Sequence, residues 1–368
     1  MKDLAQKYVF SFKDIREEGA SVIHVLTWDE KFVPSFVNLA RREFSRTRQV
    51  FIVCGLSSRE TTWGGTDVIL CENASAGVKE LKLRQNKFEK IIFHGLFYTE
   101  IIIFLLFKSN LLKRSCWVIW GGDLYFKILR RRSLSTSIVE VLRTVVINRI
   151  AVISTTVPGD FALVKKWYGS KAVFIQNLMY ESHVARVNTG QSPASDTGSV
   201  TIQVGNSADP SNHHESVLRE LKKSGVSTKA IYVPLAYGDR QYAEKIIRVG
   251  RELFGDKLIP ILEMQTPEEY NRHLSQIDIA LFGHKRQQGM GNIIALLSLG
   301  KKVYLRSDVT SWDYLTSLDI FVFDVLDLSD LRRLDIRARE HNIRRCRDIF
   351  SYSKLVEGWR KVLEYKSQ

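Results

Sequence analysis

The residues best suited to chemistry lie in the stretch Gly283-His-Lys-Arg-Gln-Gln-Gly-Met-Gly-Asn292. The apolar segment Ile277-Asp-Ile-Ala-Leu-Phe282 leads into it, and Ile293-Ile-Ala-Leu-Leu-Ser-Leu299 leads out to Gly300. This pattern predicts a strand, a basic glycine-containing loop and a helix N-terminus. Such a helix start presents unpaired N–H groups and the positive end of a dipole, and so suits a phosphate. Lys285 and Arg286 add full charges, Gln287 and Gln288 can bond a sugar or phosphate oxygen, and Gly289 and Gly291 admit close approach to the backbone. Other polar residues punctuate apolar runs: His24, His94-Gly95, Gly121-Gly122-Asp123 between Trp120 and Tyr125, and Gly205-Asn206-Ser207. The plain alternative is an ordinary strand-to-helix turn with solvated charges.

These groups need elements to hold them. Val22–Leu26, Val50–Cys54, Lys90–His94, Trp117–Trp120 and Ala151–Ser154 read as buried strands alternating with helical stretches. After residues 181–199, rich in Ser, Gly, Asn and Pro, the pattern starts again with Val200–Val204, Ala230–Val233, Ile277–Phe282 and Val303–Leu305. Asn212 and Glu215 have capping-box spacing, and Thr266-Pro-Glu-Glu269 is a strong helix start. Runs that are apolar throughout imply parallel sheets covered on both faces. The fold expected is α/β of GT-B type, two Rossmann-like domains facing across a cleft. Residues 1–180 are expected to form the first domain, 181–199 a linker and 200–350 the second, and the GT-B arrangement implies acceptor binding in the first and nucleotide-sugar binding in the second. Residues 351–368 form a terminal helix that can pack back on the first domain. Ligands sit at the carboxyl ends of parallel strands, where these motifs fall.

A chain of 368 residues suits two domains, and 45% apolar with 26% charged residues excludes wholesale disorder. The charged start Met1-Lys-Asp-Leu lacks the apolar core of a signal peptide. The apolar run Ile101–Phe107 is far short of a bilayer span. Four scattered cysteines, Cys54, Cys71, Cys116 and Cys346, show no metal-ligand spacing, so no metal or other cofactor is expected. Residues 1–199 hold 28 Lys and Arg against 18 Asp and Glu, and residues 200–368 hold 26 against 22. That basic excess in the first half admits nucleic acid, an anionic membrane or an anionic substrate.

Ile23-His-Val-Leu26, Phe93-His-Gly95, Ile119-Trp-Gly-Gly-Asp-Leu-Tyr125, Val204-Gly-Asn-Ser207 and Arg286-Gln-Gln-Gly289 with Gly291 recur in the same order in a known family. The sequence resembles glycosyltransferase family 56, the TDP-N-acetylfucosamine:lipid II N-acetylfucosaminyltransferases, from about residue 22 to about residue 360. The resemblance implies a GT-B hexosyltransferase moving a 4-acetamido-4,6-dideoxygalactose, or a related deoxysugar, from a TDP donor. The acceptor would be a polyprenyl-diphosphate-linked saccharide of enterobacterial common antigen or O-antigen synthesis. The implied location is peripheral, on the cytoplasmic face of the inner membrane. Residues 1–20 have no counterpart in it, and Phe282-Gly-His-Lys285 departs locally.

Glycosyl transfer needs a stabilised diphosphate leaving group, a base for the acceptor hydroxyl and an oriented sugar. No Asp-x-Asp occurs in the chain, so Lys285, Arg286 and the helix start at Gly289–Asn292 offer a metal-free diphosphate site. Gly205, Asn206, Ser207 and Tyr237 are further donor-side candidates. From Gly289 to Arg339 there is no glutamate, which removes the paired-glutamate pattern of many retaining GT-B enzymes and points to an inverting displacement. Asp123, His94 and His24 are the candidate bases, with a helix cap the alternative for Asp123 and a satisfied core residue the alternative for each histidine. Gly95, Trp120, Gly121 and Tyr125 are candidate acceptor contacts. Ile101–Lys108 beside the basic residues Lys127–Arg149 suggests an apolar ridge and cationic stripe for an anionic membrane. A soluble acceptor is one alternative. A nucleic-acid-binding protein is another, though helix-turn-helix, zinc and RNP signatures are missing.

Overall fold

The computed structural model describes residues 21–56, 63–129, 133–186 and 198–366. The first sheet contains β1 (Ser21–Thr27), β2 (Arg48–Cys54), β3 (Val68–Cys71), β4 (Lys90–His94), β5 (Ser115–Val118), β6 (Val152–Thr155) and β7 (Val173–Gln176), in the order β3-β2-β1-β4-β5-β6-β7. The second contains β8 (Val200–Val204), β9 (Thr228–Pro234), β10 (Leu258–Ile261), β11 (Ile279–Leu281), β12 (Lys302–Leu305) and β13 (Phe323–Asp324), in the order β10-β9-β8-β11-β12-β13. All pairings are parallel. Both sheets are doubly wound. Strand order reverses between β1 and β4 and again between β8 and β11, and such reversals open a crevice at the carboxyl ends.

The central strands are buried on both faces, as their unbroken apolar runs require: β1 is buried from Val22 to Leu26 and β4 throughout. The core of the first domain continues into the second without a break, through Val157, Tyr314, Leu315 and Trp359. The helix Tyr352–Glu364 lies on the first domain. Its Trp359 indole donates to the Met179 carbonyl at 2.7 Å, and Lys90 Nζ caps its last turn at the Val362 and Leu363 carbonyls, 2.6 and 2.7 Å away.

Three sequence expectations change. In helix Thr99–Leu106, Ile101, Ile102, Phe104 and Leu105 fill the core, so no apolar ridge forms there; only Ile103 and, just beyond, Phe107 face outward. Asn212 does not cap a helix with Glu215. A short 3-10 turn, Pro210–Asn212, intervenes, and Asn212 turns inward, where its Oδ1 accepts from the Asn206 N–H at 3.0 Å. In the expected linker, Glu181–His183 forms an ordered turn and the Arg186 N–H donates to Ser298 Oγ at 2.9 Å; residues 187–197 lie outside the described residues, as do residues 1–20 and Arg130–Arg132.

A second contact joins the domains. Asp160, in helix Pro158–Tyr168, is wholly buried, and its Oδ1 accepts from Thr310 Oγ at 2.7 Å and from the Tyr125 hydroxyl at 3.0 Å. Its Oδ2 has no partner. Burial raises this carboxyl from 3.8 to about 7, so the folded state holds a proton that the unfolded chain has lost. The resulting stabilisation is complete below the ordinary value and disappears as pH rises through about 7. The stability of the native protein relative to Asp160→Asn should therefore fall as pH rises from about 4 to about 7, measured as the difference between their thermal melts. A difference that stays constant over that range would remove Asp160 as the source of such a pH dependence.

Candidate active site

The loops that follow β1, β4 and β5 face those that follow β8, β9 and β11 across one cleft. It encloses about 270 Å³, with Phe32, Phe97, Trp120 and Tyr180 on one wall and Asn206, Ser207, Tyr237 and Arg286–Asn292 on the other. A second chamber of about 220 Å³ opens from it between the ends of β8, β9 and β10. Pro234, Ala236, Ile261 and Met264 make it apolar, and Glu263, Gln265 and Tyr270 give it polar edges. Lys31, Ser182, Asn206, Tyr237, Gly291 and Asn292 border both chambers, so the two are one continuous site.

The glycine-rich loop forms the junction. Helix Met290–Ser298 starts at Gly289, whose φ of 67° is left-handed and favours glycine. A Cβ on Gly291 would come within 2.9 Å of the Ser182 carbonyl, so the helix start closes directly on the turn Glu181–His183. Arg286 is buried. Its Nη1 donates to the Gln287 carbonyl at 3.3 Å and Nη2 lies 3.6 Å from Asp209, but Nε has no partner. Desolvation lowers its pKa, and an arginine nevertheless keeps its charge. A buried guanidinium with an unpaired N–H beside a helix N-terminus is arranged to meet an anion. His284 braces the loop: its Nε2 reaches Asn206 Oδ1 at 3.1 Å and Asn212 Oδ1 at 2.7 Å, tying the β11 loop to the β8 loop. Ser211 Oγ donates to Gln288 Oε1 at 2.6 Å, and the Tyr270 hydroxyl to Asn292 Oδ1. Among the described residues no three His, Cys, Asp or Glu side chains gather into a metal site.

Of the donor-side candidates, Asn206, Ser207, Tyr237, Arg286, Gln287, Gln288, Gly289, Gly291 and Asn292 line the cleft. Lys285 does not; it is exposed. Gly205 shapes the turn instead, at φ 71° with His214 and Asn212 where a side chain would stand. Of the acceptor candidates only Trp120 lines the cleft. Gly95 turns the chain at φ 82° under the Phe97 ring. Gly121 packs against the other domain: a Cβ there would fall 2.5 Å from Gln287 Oε1. Tyr125 is buried on Asp160.

The three candidate bases are all buried and hydrogen-bonded within the protein. Asp123 is wholly buried. Its Oδ2 accepts from the Leu96 N–H at 3.0 Å and the Trp117 indole at 2.7 Å, and its Oδ1 from the Trp120 and Leu124 N–H groups, each at 3.0 Å. Every bond organises the rim, and none leaves an oxygen for substrate. His24 and His94 are equally buried, and desolvation holds His24 at about 3 and His94 well below its ordinary value, so both stay neutral.

Their ring protons follow from the partners. Gln49 Nε2 donates to the Ala40 and Phe44 carbonyls, both 3.2 Å away, which leaves Oε1 to accept from His24 Nε2–H at 3.0 Å. His24 Nδ1 then accepts from His94 Nε2–H at 3.1 Å, and His94 Nδ1 from the Tyr180 hydroxyl at 3.0 Å. The Tyr180 oxygen in turn accepts the Trp120 indole N–H at 2.6 Å. This directed chain fixes the Trp120 ring at the cleft wall. The two histidines are links in that chain.

Sequence reasoning passed over Lys31, Phe32 and Phe97, whose signal was their place just after strand ends. It also passed over Tyr180, Ser182 and His183, hidden at the start of a stretch with linker composition. His183 lines the cleft, bonded to Thr156 Oγ at 3.0 Å, and burial lowers it to about 4, so it is neutral.

A family model described as 4-alpha-L-fucosyltransferase, glycosyl transferase group 56, matches residues 22–368. The chain belongs to glycosyl transferase group 56. The enzyme is therefore a nucleotide-sugar glycosyltransferase, and its fold is GT-B. It is similar to Anabaena HepE in complex with UDP and glucose, with TM-score 0.67, 8% identity and coverage of 94% of this chain and 99% of that one. It is similar to WaaG, a glycosyltransferase involved in lipopolysaccharide biosynthesis, with TM-score 0.63, 9% identity and coverage of 94% and 100%. Sucrose-phosphate synthase from Thermosynechococcus elongatus matches at TM-score 0.65, 10% identity and coverage of 93% and 98%. At these identities the three likenesses concern the fold.

Asp123→Asn tests the rim. An amide nitrogen would face N–H donors now satisfied by a carboxylate, so unfolding free energy should fall by about 3 kcal/mol. Chemical denaturation measures this. A variant as stable as the native enzyme but without turnover would return Asp123 to a catalytic role.

Proposed function

We propose that the enzyme transfers a 4-acetamido-4,6-dideoxygalactose unit, or a closely related deoxysugar, from a thymidine diphosphate donor to a saccharide on polyprenyl diphosphate. The product would belong to a bacterial surface polysaccharide, enterobacterial common antigen or O-antigen, and the reaction would run peripherally at the cytoplasmic face of the inner membrane. No helix among the described residues is long and apolar enough to cross a membrane. The observation that carries the reading is the buried Arg286, whose Nε has no partner, beside the helix start and opposite an aromatic wall.

The chemistry follows from that arrangement. The diphosphate lies between Arg286 and the N–H groups at the start of helix Met290–Ser298, so charge that grows on the leaving oxygen meets fixed donors. The base and ribose occupy the chamber edged by Gln265 and Tyr270. The sugar reaches toward Trp120, Phe97 and Phe32, whose faces suit a ring that carries a methyl in place of a hydroxymethyl group. Of the cleft-lining groups, His183 stands on the acceptor side and takes the proton from the acceptor hydroxyl.

The test is donor binding and transfer. Arg286→Ala removes a charge-assisted contact of about 1.5–3 kcal/mol, so affinity for thymidine diphosphate should drop roughly ten- to hundredfold. Lys285→Ala, at an exposed position outside the cleft, should change it little. Calorimetric titration measures both. Equal losses in the two variants, or none in Arg286→Ala, would refute the assignment. EDTA should leave transfer of radiolabelled sugar intact; loss restored by one divalent ion would refute the metal-free site.

A further inference from the structure

We propose that the helical arm formed by the end of helix Gly122–Leu129 and the start of helix Leu134–Arg149 inserts into the headgroup–acyl boundary of an anionic leaflet. This rests on the lipid-linked acceptor proposed above and names the surface that would meet the lipid.

Arg143 marks where the arm leaves the body. Its guanidinium donates to the Leu96 and Asp123 carbonyls, next to the cleft-lining residues Phe97, Trp120 and Gly122. From Leu134 to Leu142 no residue is buried. That segment rises about 13 Å from Arg143 at helical pitch. Along it Leu134, Ile138 and Val141, spaced four and three apart, are 87%, 61% and 64% exposed. Ile128 and Leu129, at the end of the preceding helix, are also exposed. Five large apolar side chains thus stand in solvent on an element that starts at the rim of the active site. A surface helix with such a stripe is stable only marginally in water and gains by burying it.

The charge around the arm selects the occupant. Residues 101–171 carry twelve Lys and Arg against three Asp and Glu. Of those acids, Asp123 and Asp160 are buried and Glu140 pairs with Arg143 at 3.1 Å. Within this stretch Lys127, Lys165 and Lys166 are exposed, and no Asp or Glu is left both exposed and unpaired. Apolar anchors within a cationic field are what an anionic leaflet recognises. A second copy of this chain would bring the same positive field against itself, which disfavours self-association through this face. With the arm in the leaflet, the rim at Phe97 and Trp120 meets a sugar carried on lipid diphosphate at the membrane surface.

Vesicle flotation decides it. The full chain should float with vesicles of phosphatidylethanolamine and phosphatidylglycerol and much less with phosphatidylcholine alone. The double variant Leu134→Asp/Ile138→Asp should lose partitioning by about tenfold or more with an unchanged melting temperature, since both sites are exposed. In a separate protein, Leu134→Trp should give an indole quenched by brominated phosphatidylglycerol. Flotation of the double variant like the native chain, failure of the native chain to float, or an unquenched indole would overturn the proposal. So would a change confined to oligomeric state by light scattering, which would mark a contact between copies. Transfer to a water-soluble short-prenyl acceptor should survive in the double variant. Its absence in the native enzyme would defeat the proposed reaction instead, and leave the flotation result to be judged by itself.

Discussion

A guanidinium held out of water with an N–H unpaired is unfavourable until an anion reaches it, and much of this structure exists to hold Arg286 in that state. The doubly wound second sheet brings the β8 and β11 loops together where its strand order reverses. His284 then clamps them through Asn206 and Asn212. Gly121 and Gly291 let the first domain and the turn Glu181–His183 close on the loop at distances no side chain would permit. Asp209 supplies only a partial counter-charge, 3.6 Å away. An incoming diphosphate would complete the shell and meet the helix start at once, so binding and leaving-group stabilisation use the same atoms.

The opposite wall is built by different means. Its polar groups are satisfied internally, and what it offers the cleft is the edge and face of aromatic rings. The chain from Gln49 through His24, His94 and Tyr180 sets the Trp120 ring in one orientation. Asp123 gathers four donors and so shapes the rim that carries Trp120. Preorganised positioning of this kind contributes to catalysis without touching a reacting atom.

Much of the architecture was legible in the sequence, and the misses have a common physics. The central strands of both sheets stand out because burial on two faces demands unbroken apolar runs. The four strands that escaped, β3, β7, β10 and β13, are the edges of the two sheets; they are half-exposed and at most four residues long, too short for a run to stand out even where, as in β3 and β10, it is apolar. The strand, loop and helix start around Gly283–Asn292 were readable because glycine spacing and helix starts are local properties. The burial of Asp123, His24 and His94 was not, because residue type and strand-end position are the same for a base and for a buried bond-maker. Only three-dimensional neighbours tell the two apart. Lys31 and His183 reach the cleft from segments with no local signal, and the exposed stripe from Leu134 to Val141 becomes visible only once Arg143 is seen to anchor the helix.

The central claim is that the nucleotide diphosphate lies against Arg286 at the start of helix Met290–Ser298. A crystal structure with thymidine diphosphate bound tests it most directly. The account predicts the diphosphate within hydrogen-bond distance of the Arg286 guanidinium, its Nε included, and of the N–H groups at Gly289–Gly291, with the base beside Gln265 and Tyr270. A nucleotide bound through Lys285 on the outer surface, or phosphates directed away from the helix start, would contradict it.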